Sequence, residues 1–111
     1  MDLVNTEDMD WVTSVALPYF KLDRVNITED PSWTKEYPDI WAQPATATIT
    51  VTATWAKKDK HQRRVELAHE IIHIAWGWGH GPKEREKGYF SRPDRDAYTK
   101  QLYNQHLRRG K

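Results

Sequence analysis

The chain contains no cysteine among its 111 residues. That excludes disulfides, thiolate metal ligands and a zinc ribbon, and it is compatible with a reducing compartment. Any metal must therefore be held by His, Asp or Glu. No apolar run reaches transmembrane length, so the chain is not expected to span a membrane. Residues 1–8 carry neither a basic n-region nor an apolar h-region, so no secretory signal is visible, and a cytoplasmic location is expected. There is no linker, internal repeat or low-complexity segment, and the length fits one domain, residues 1–111, with a small core. With 38% hydrophobic and 30% charged residues the composition is that of a globular protein.

A large excess of one charge is also missing, since the net charge is +1. The charge is nevertheless unevenly spread. Residues 1–56 hold 3 Lys/Arg against 9 Asp/Glu, and residues 57–111 hold 14 against 7. Either the two halves face and neutralise each other, or the second half offers a basic face to nucleic acid or an acidic partner. No aromatic-basic signature specific to nucleic acid accompanies it.

What the chain does have is His69-Glu70-Ile71-Ile72-His73, which reads H-E-x-x-H. On a helix, residues four apart share a face, so His69 and His73 can offer two imidazoles to one metal. Glu70, beside His69, is placed to act as general base on a water activated there. Chance matches to this pattern at this composition number about 0.01, so the motif stands above noise. The other reading is a pair of hydrogen-bonded core histidines beside a buried carboxylate.

The surrounding periodicities give an α+β order. Thr6 is placed to cap a first helix carrying Glu7, Asp8 and Asp10 in its first turns, where the helix dipole favours acids. Met9, Val12, Val15 and Ala16 form its apolar stripe, and Pro18 should end it at Leu17. Residues 19–28 read as extended, and so does a short piece around Ile40-Trp41-Ala42. Residues 46–55 alternate strictly, Ala47, Ile49, Val51, Ala53 and Trp55 on one face and five threonines on the other, which predicts a half-covered sheet. Asp59 with Gln62 makes a capping box for a helix over residues 60–76, apolar almost all round and hence central. Gly77, Gly79 and Gly81 then break the helix and permit sharp turns. Ser91 is placed to cap a last helix with Pro93, Asp94 and Asp96 in its first turn. His61 and His106 sit among polar residues and read as surface histidines.

With the helix, strands and H-E-x-x-H helix in this order, the chain resembles the minimal catalytic core of the zincin metallopeptidases. Within that clan, His69-Glu70-Ile71-Ile72-His73 followed by Gly79-His80-Gly81-Pro82 is similar to the SprT-like family. Gly77 and His80 each fall one position later than the corresponding metzincin residues, and both methionines precede the motif, so a Met-turn is excluded. The small size also resembles the minigluzincins, which take a carboxylate from a following helix.

The resemblance implies a minimal zincin-like domain. It would have an N-terminal helix, a two- to three-stranded, mostly antiparallel sheet, the motif helix and a C-terminal helix. It further implies one zinc per chain, bound by His69 and His73 with His80 as third ligand, or Asp96 in the carboxylate-ligand variant. Glu70 would be the catalytic base of a zinc-dependent endopeptidase acting on protein or peptide substrates. An edge strand beside the motif helix would pair with the substrate backbone. Residues 46–55 are the candidate strand, with Thr50 and Thr52 on its open face and Trp78 walling the cleft. Trp76 could wall it as well, and Tyr89 or Tyr98 could assist an oxyanion. The alternative function is a zincin-fold binding or regulatory module with little peptidase activity, DNA-associated if the basic half is used.

Overall fold

In a computed structural model that describes residues 3–33, 39–77 and 92–108, with side chains from 96 onward in the last segment, Asn5 rather than Thr6 caps the first helix. Its side-chain oxygen accepts the Asp8 N–H at 2.7 Å, satisfying one of the free donors of α1 (Thr6–Trp11). The helix does not stop at Leu17 as Pro18 predicts. It widens into a π turn, Val12–Ala16, in which Leu17 N–H reaches back to Val12 O, and then resumes as α2 (Leu17–Phe20). The widened turn puts Pro18 at the start of a new helical segment, where a missing N–H costs little. The run ends at Lys21, left-handed with φ 58°, so Tyr19 and Phe20 are helical and the first strand begins only later. Trp11, Val12, Ala16, Leu17 and Phe20 point into the core.

The three strands are β1 (Asn26–Asp30), β2 (Ile40–Gln43) and β3 (Thr48–Thr52), in the order β1-β3-β2. The α+β class and the three-stranded sheet agree with the sequence pattern, but the pairing is mixed. β3 runs antiparallel to β2 across the short Pro44–Thr46 turn, whereas β1 pairs with β3 in parallel. A tight connection between neighbouring strands forces the first relation; the longer path from β1 through β2 to β3 permits the second. β3 is therefore central, not the edge strand expected of residues 46–55. It is also shorter than its alternation suggests. The Thr52 hydroxyl accepts Trp55 N–H at 3.4 Å and opens a one-turn helix, α3 (Ala53–Ala56). Ile49 and Val51 are fully buried on one face. On the open face Thr28 and Thr50 share a hydroxyl hydrogen bond of 2.9 Å across the β1–β3 pair.

The motif helix α4 (Lys60–Trp76) has the bounds the sequence predicts. Asp59 Oδ1 accepts Gln62 N–H at 3.0 Å at its start, and Gly77, left-handed at φ 68°, closes it. Leu67, Ala68, Ile71 and Ile72 are buried in the shared core, and α4 packs against β2 and against α5 (Arg92–Leu102). A second π turn, Tyr103–Leu107, follows α5 and buries Tyr103 and Leu107. There the Trp11 indole donates to Leu107 O at 2.7 Å, tying the two ends of the described chain together. No helix among the described residues is long and apolar enough to cross a membrane.

Candidate metal centre

The third and fourth turns of α4 carry the chemistry. His69 and His73, one turn apart, present their Nε2 atoms to each other at 3.1 Å with the rings at 77°. Two nitrogens each ~2.1 Å from a tetrahedral zinc lie about 3.4 Å apart, so the pair is spaced as two such ligands would be. Glu70 lies on the same side of the helix, and a ligand atom of each of His69, Glu70 and His73 lies within 4.8 Å of the others. His73 and Glu70 are buried, at 8% and 9% exposure, while His69 is partly open to solvent. Two imidazoles converging at this spacing suit zinc, and a carboxylate beside them is placed for a water on that ion, so the residues present fit it.

Burial pushes the Glu70 carboxyl up to about 8, and the negative charges of Glu66, Asp96 and Asp39 add to the shift. These three acids come from three places. Glu66 sits one turn earlier on α4, Asp96 on α5, and Asp39 immediately before β2. Lys58 holds two of them together, with Nζ 2.6 Å from Asp39 Oδ2 and 2.8 Å from Glu66 Oε2. This single ammonium ties the start of β2 to α4, adding charge to the packing that holds that strand beside the motif helix.

Asp96 meets His69 from behind. Its Oδ1 lies 3.2 Å from Nδ1, the ring nitrogen facing away from His73. The other residues singled out in the sequence fall as follows. Thr50 and Thr52 lie on the central strand, so neither offers an open edge to a substrate. Thr50 is engaged by Thr28, and Thr52 is fully buried with its hydroxyl donated to Asp39 O at 2.7 Å. Among the described residues, the strand that does lie at a sheet edge beside α4 is β2. Trp76, at the last turn of α4, is 37% exposed and packs edge-on to Phe20 at 5.4 Å, with Tyr98 beyond at 6.5 Å. His80, Trp78 and Tyr89 lie outside the described residues. His61 is not a plain surface histidine, because its Nδ1 lies 2.7 Å from the hydroxyl of buried Tyr103. His106 is exposed and stacks on Tyr19.

Sequence reasoning missed Asp39, Lys58 and Glu66. Glu66 had a readable signal, since it lies four residues before Glu70 on one helix face. Nothing local marks Asp39 and Lys58 as neighbours. Compared with known proteins, the chain matches no family model, no curated protein and no solved structure.

Proposed function

We propose that the chain is a zinc-dependent endopeptidase, with the metal held by His69 and His73 on α4 and by His80 as third ligand. The observation that carries the reading is the convergence of the two Nε2 atoms at 3.1 Å beside a buried glutamate on one helix face. Ordinary core histidines need no such convergence, and a purely structural metal site needs no Glu70. Zinc, when bound, supplies a Lewis acid for the scissile carbonyl and lowers the pKa of a water toward neutrality.

The chain's own groups do the rest. Glu70 takes a proton from the attacking water and later gives it to the leaving amine. A carboxyl lifted toward neutrality by burial is suited to both transfers, because it binds and releases protons near the working pH. A nearby cation brings that value back down, and Glu66, Asp39 and Asp96 oppose the fall. The substrate backbone is aligned on the outer edge of β2, in place of residues 46–55, by strand addition. The absence of cysteine accords with a cytoplasmic setting. The resemblance to the SprT-like family supports the same chemistry.

The test is Glu70→Ala. The variant is expected to keep its fold and its zinc and to lose hydrolysis of a casein-type substrate by about 100-fold or more. Hydrolysis equal to that of the parent would remove Glu70 from the mechanism. A parent that binds zinc but cleaves nothing would leave a zincin-like binding module.

A further inference from the structure

The two nitrogens of His69 face different groups. Nε2 lies 3.1 Å from His73 Nε2, on the side where a metal would sit. Nδ1 lies 3.2 Å from Asp96 Oδ1. An ionised carboxylate only accepts hydrogen bonds, so at this distance it favours a proton on Nδ1. That leaves the lone pair of Nε2 directed toward His73. We propose that Asp96 is the positioning residue of this centre. It fixes the ring orientation and the tautomer of His69 from the C-terminal helix and is not itself a ligand. The proposal rests on reading His69 and His73 as a metal pair.

Three observations distinguish this role from the alternatives. First, the oxygen of Asp96 touches the far side of the imidazole, and Asp96 is not part of the group whose ligand atoms lie within 4.8 Å of one another. Second, Asp96 is the fifth residue of α5, which begins at Arg92. The stabilisation of acids by a helix N-terminus fades beyond the first turn, so the dipole does not account for it. Third, its side chain is 59% exposed. A solvated hydrogen bond of this kind adds little to stability, so what the contact provides is direction rather than cohesion. Carboxylates that hold the non-coordinating nitrogen of a metal-binding histidine act in this way in general.

The rotation of α5 that brings Asp96 to His69 is set by its other contacts. Thr99 and Leu102 are buried against the core, and Tyr98 approaches Trp76 of α4. The tautomer of His69 is therefore tied to the docking of a helix about 27 residues further along the chain, at the spacing between His69 and Asp96.

The test uses the full chain, stripped of metal, as parent, Asp96→Ala, Asp96→Asn and His73→Ala. Zinc affinity is measured by competition with a chelator, the ligand set by visible absorption of the cobalt(II)-loaded protein, and the His69 tautomer by nitrogen-15 NMR of the metal-free protein. The expected result is that Asp96→Ala binds zinc about 10–100-fold more weakly, with unchanged cobalt absorption bands. Its metal-free His69 should move from the Nδ1–H to the Nε2–H tautomer. Asp96→Asn, which keeps an acceptor oxygen, should retain the tautomer and most of the affinity. His73→Ala, which loses a ligand, should change the bands.

Altered cobalt bands in Asp96→Ala would make Asp96 a direct ligand and overturn the proposal. Unchanged affinity and tautomer in that variant would reduce Asp96 to a surface acid. If the parent takes no metal, the proposed function falls, and the tautomer measurement still decides whether Asp96 orients His69.

Discussion

Asp8 and Arg64 form an ion pair of 2.9 Å between the first helix and the motif helix, with the Asp8 side chain fully buried and that of Arg64 nearly so. Arg63, the next residue, reaches the other carboxylate oxygen at 2.8 Å. Both oxygens are thus engaged by guanidinium groups, which match a carboxylate in shape and charge. Arg64 also lies over the ring of Trp11 at 5.7 Å. Removing Asp8 would leave two cations partly or wholly buried without their counter-ion. Asp8→Ala is expected to destabilise the protein by about 3–5 kcal/mol in urea unfolding. A loss below about 1 kcal/mol would show that the pair is solvated in solution.

Asp8 also shows where the sequence stops being informative. Its position in a first helical turn explains an acid there, but no local signal says that the acid is buried against residues more than fifty positions away. The motif helix was legible to both ends because its signals are local. They are the Asp59 cap, the apolar run from Val65 to Ala75, and the glycine at 77. His69 and His73 were legible for the same reason, since four-residue spacing puts them on one face, and Glu70 falls three residues before His73, near that face. Residues 46–55 showed their alternation, and Ile49 and Val51 are indeed buried. Which strand lies at the edge is decided by pairing partners distant in sequence, so alternation alone does not reveal that β3 is central. Pro18 misled because a π turn in the preceding residues absorbs it, and π turns have no simple sequence pattern.

Thr52 joins the central strand to the strand edge nearest the candidate site. Its buried hydroxyl donates to Asp39 O and accepts from Trp55 N–H. Thr52→Val keeps the shape and deletes both bonds, leaving a buried carbonyl and N–H without that partner. The expected cost is about 1–3 kcal/mol, read by thermal or urea unfolding. A neutral result would mean that water or a backbone shift replaces the hydroxyl.

Glu70 gives the metal-free protein a defined pH dependence. Below its ordinary value of 4.5 the carboxyl is protonated whether the chain is folded or not. Between 4.5 and about 8 the unfolded chain loses this proton while the folded chain keeps it, so stability falls as pH rises. The slope from this group is at most roughly 1.4 kcal/mol per pH unit, and it vanishes above the folded value. Glu70→Gln cannot ionise and should lack this component. Urea unfolding of the two metal-free proteins across neutral pH should show the parent losing stability relative to the variant as pH rises. Parallel curves would mean that Glu70 ionises normally in the folded state.

The central claim, that His69 and His73 form a metal pair, is tested most directly by elemental analysis after zinc loading and exhaustive dialysis. The parent is predicted to retain about one zinc per chain, while His69→Ala and His73→Ala, checked for folding, retain little or none. A parent that comes out of dialysis without zinc, or a His73→Ala variant that holds as much as the parent, would contradict the account.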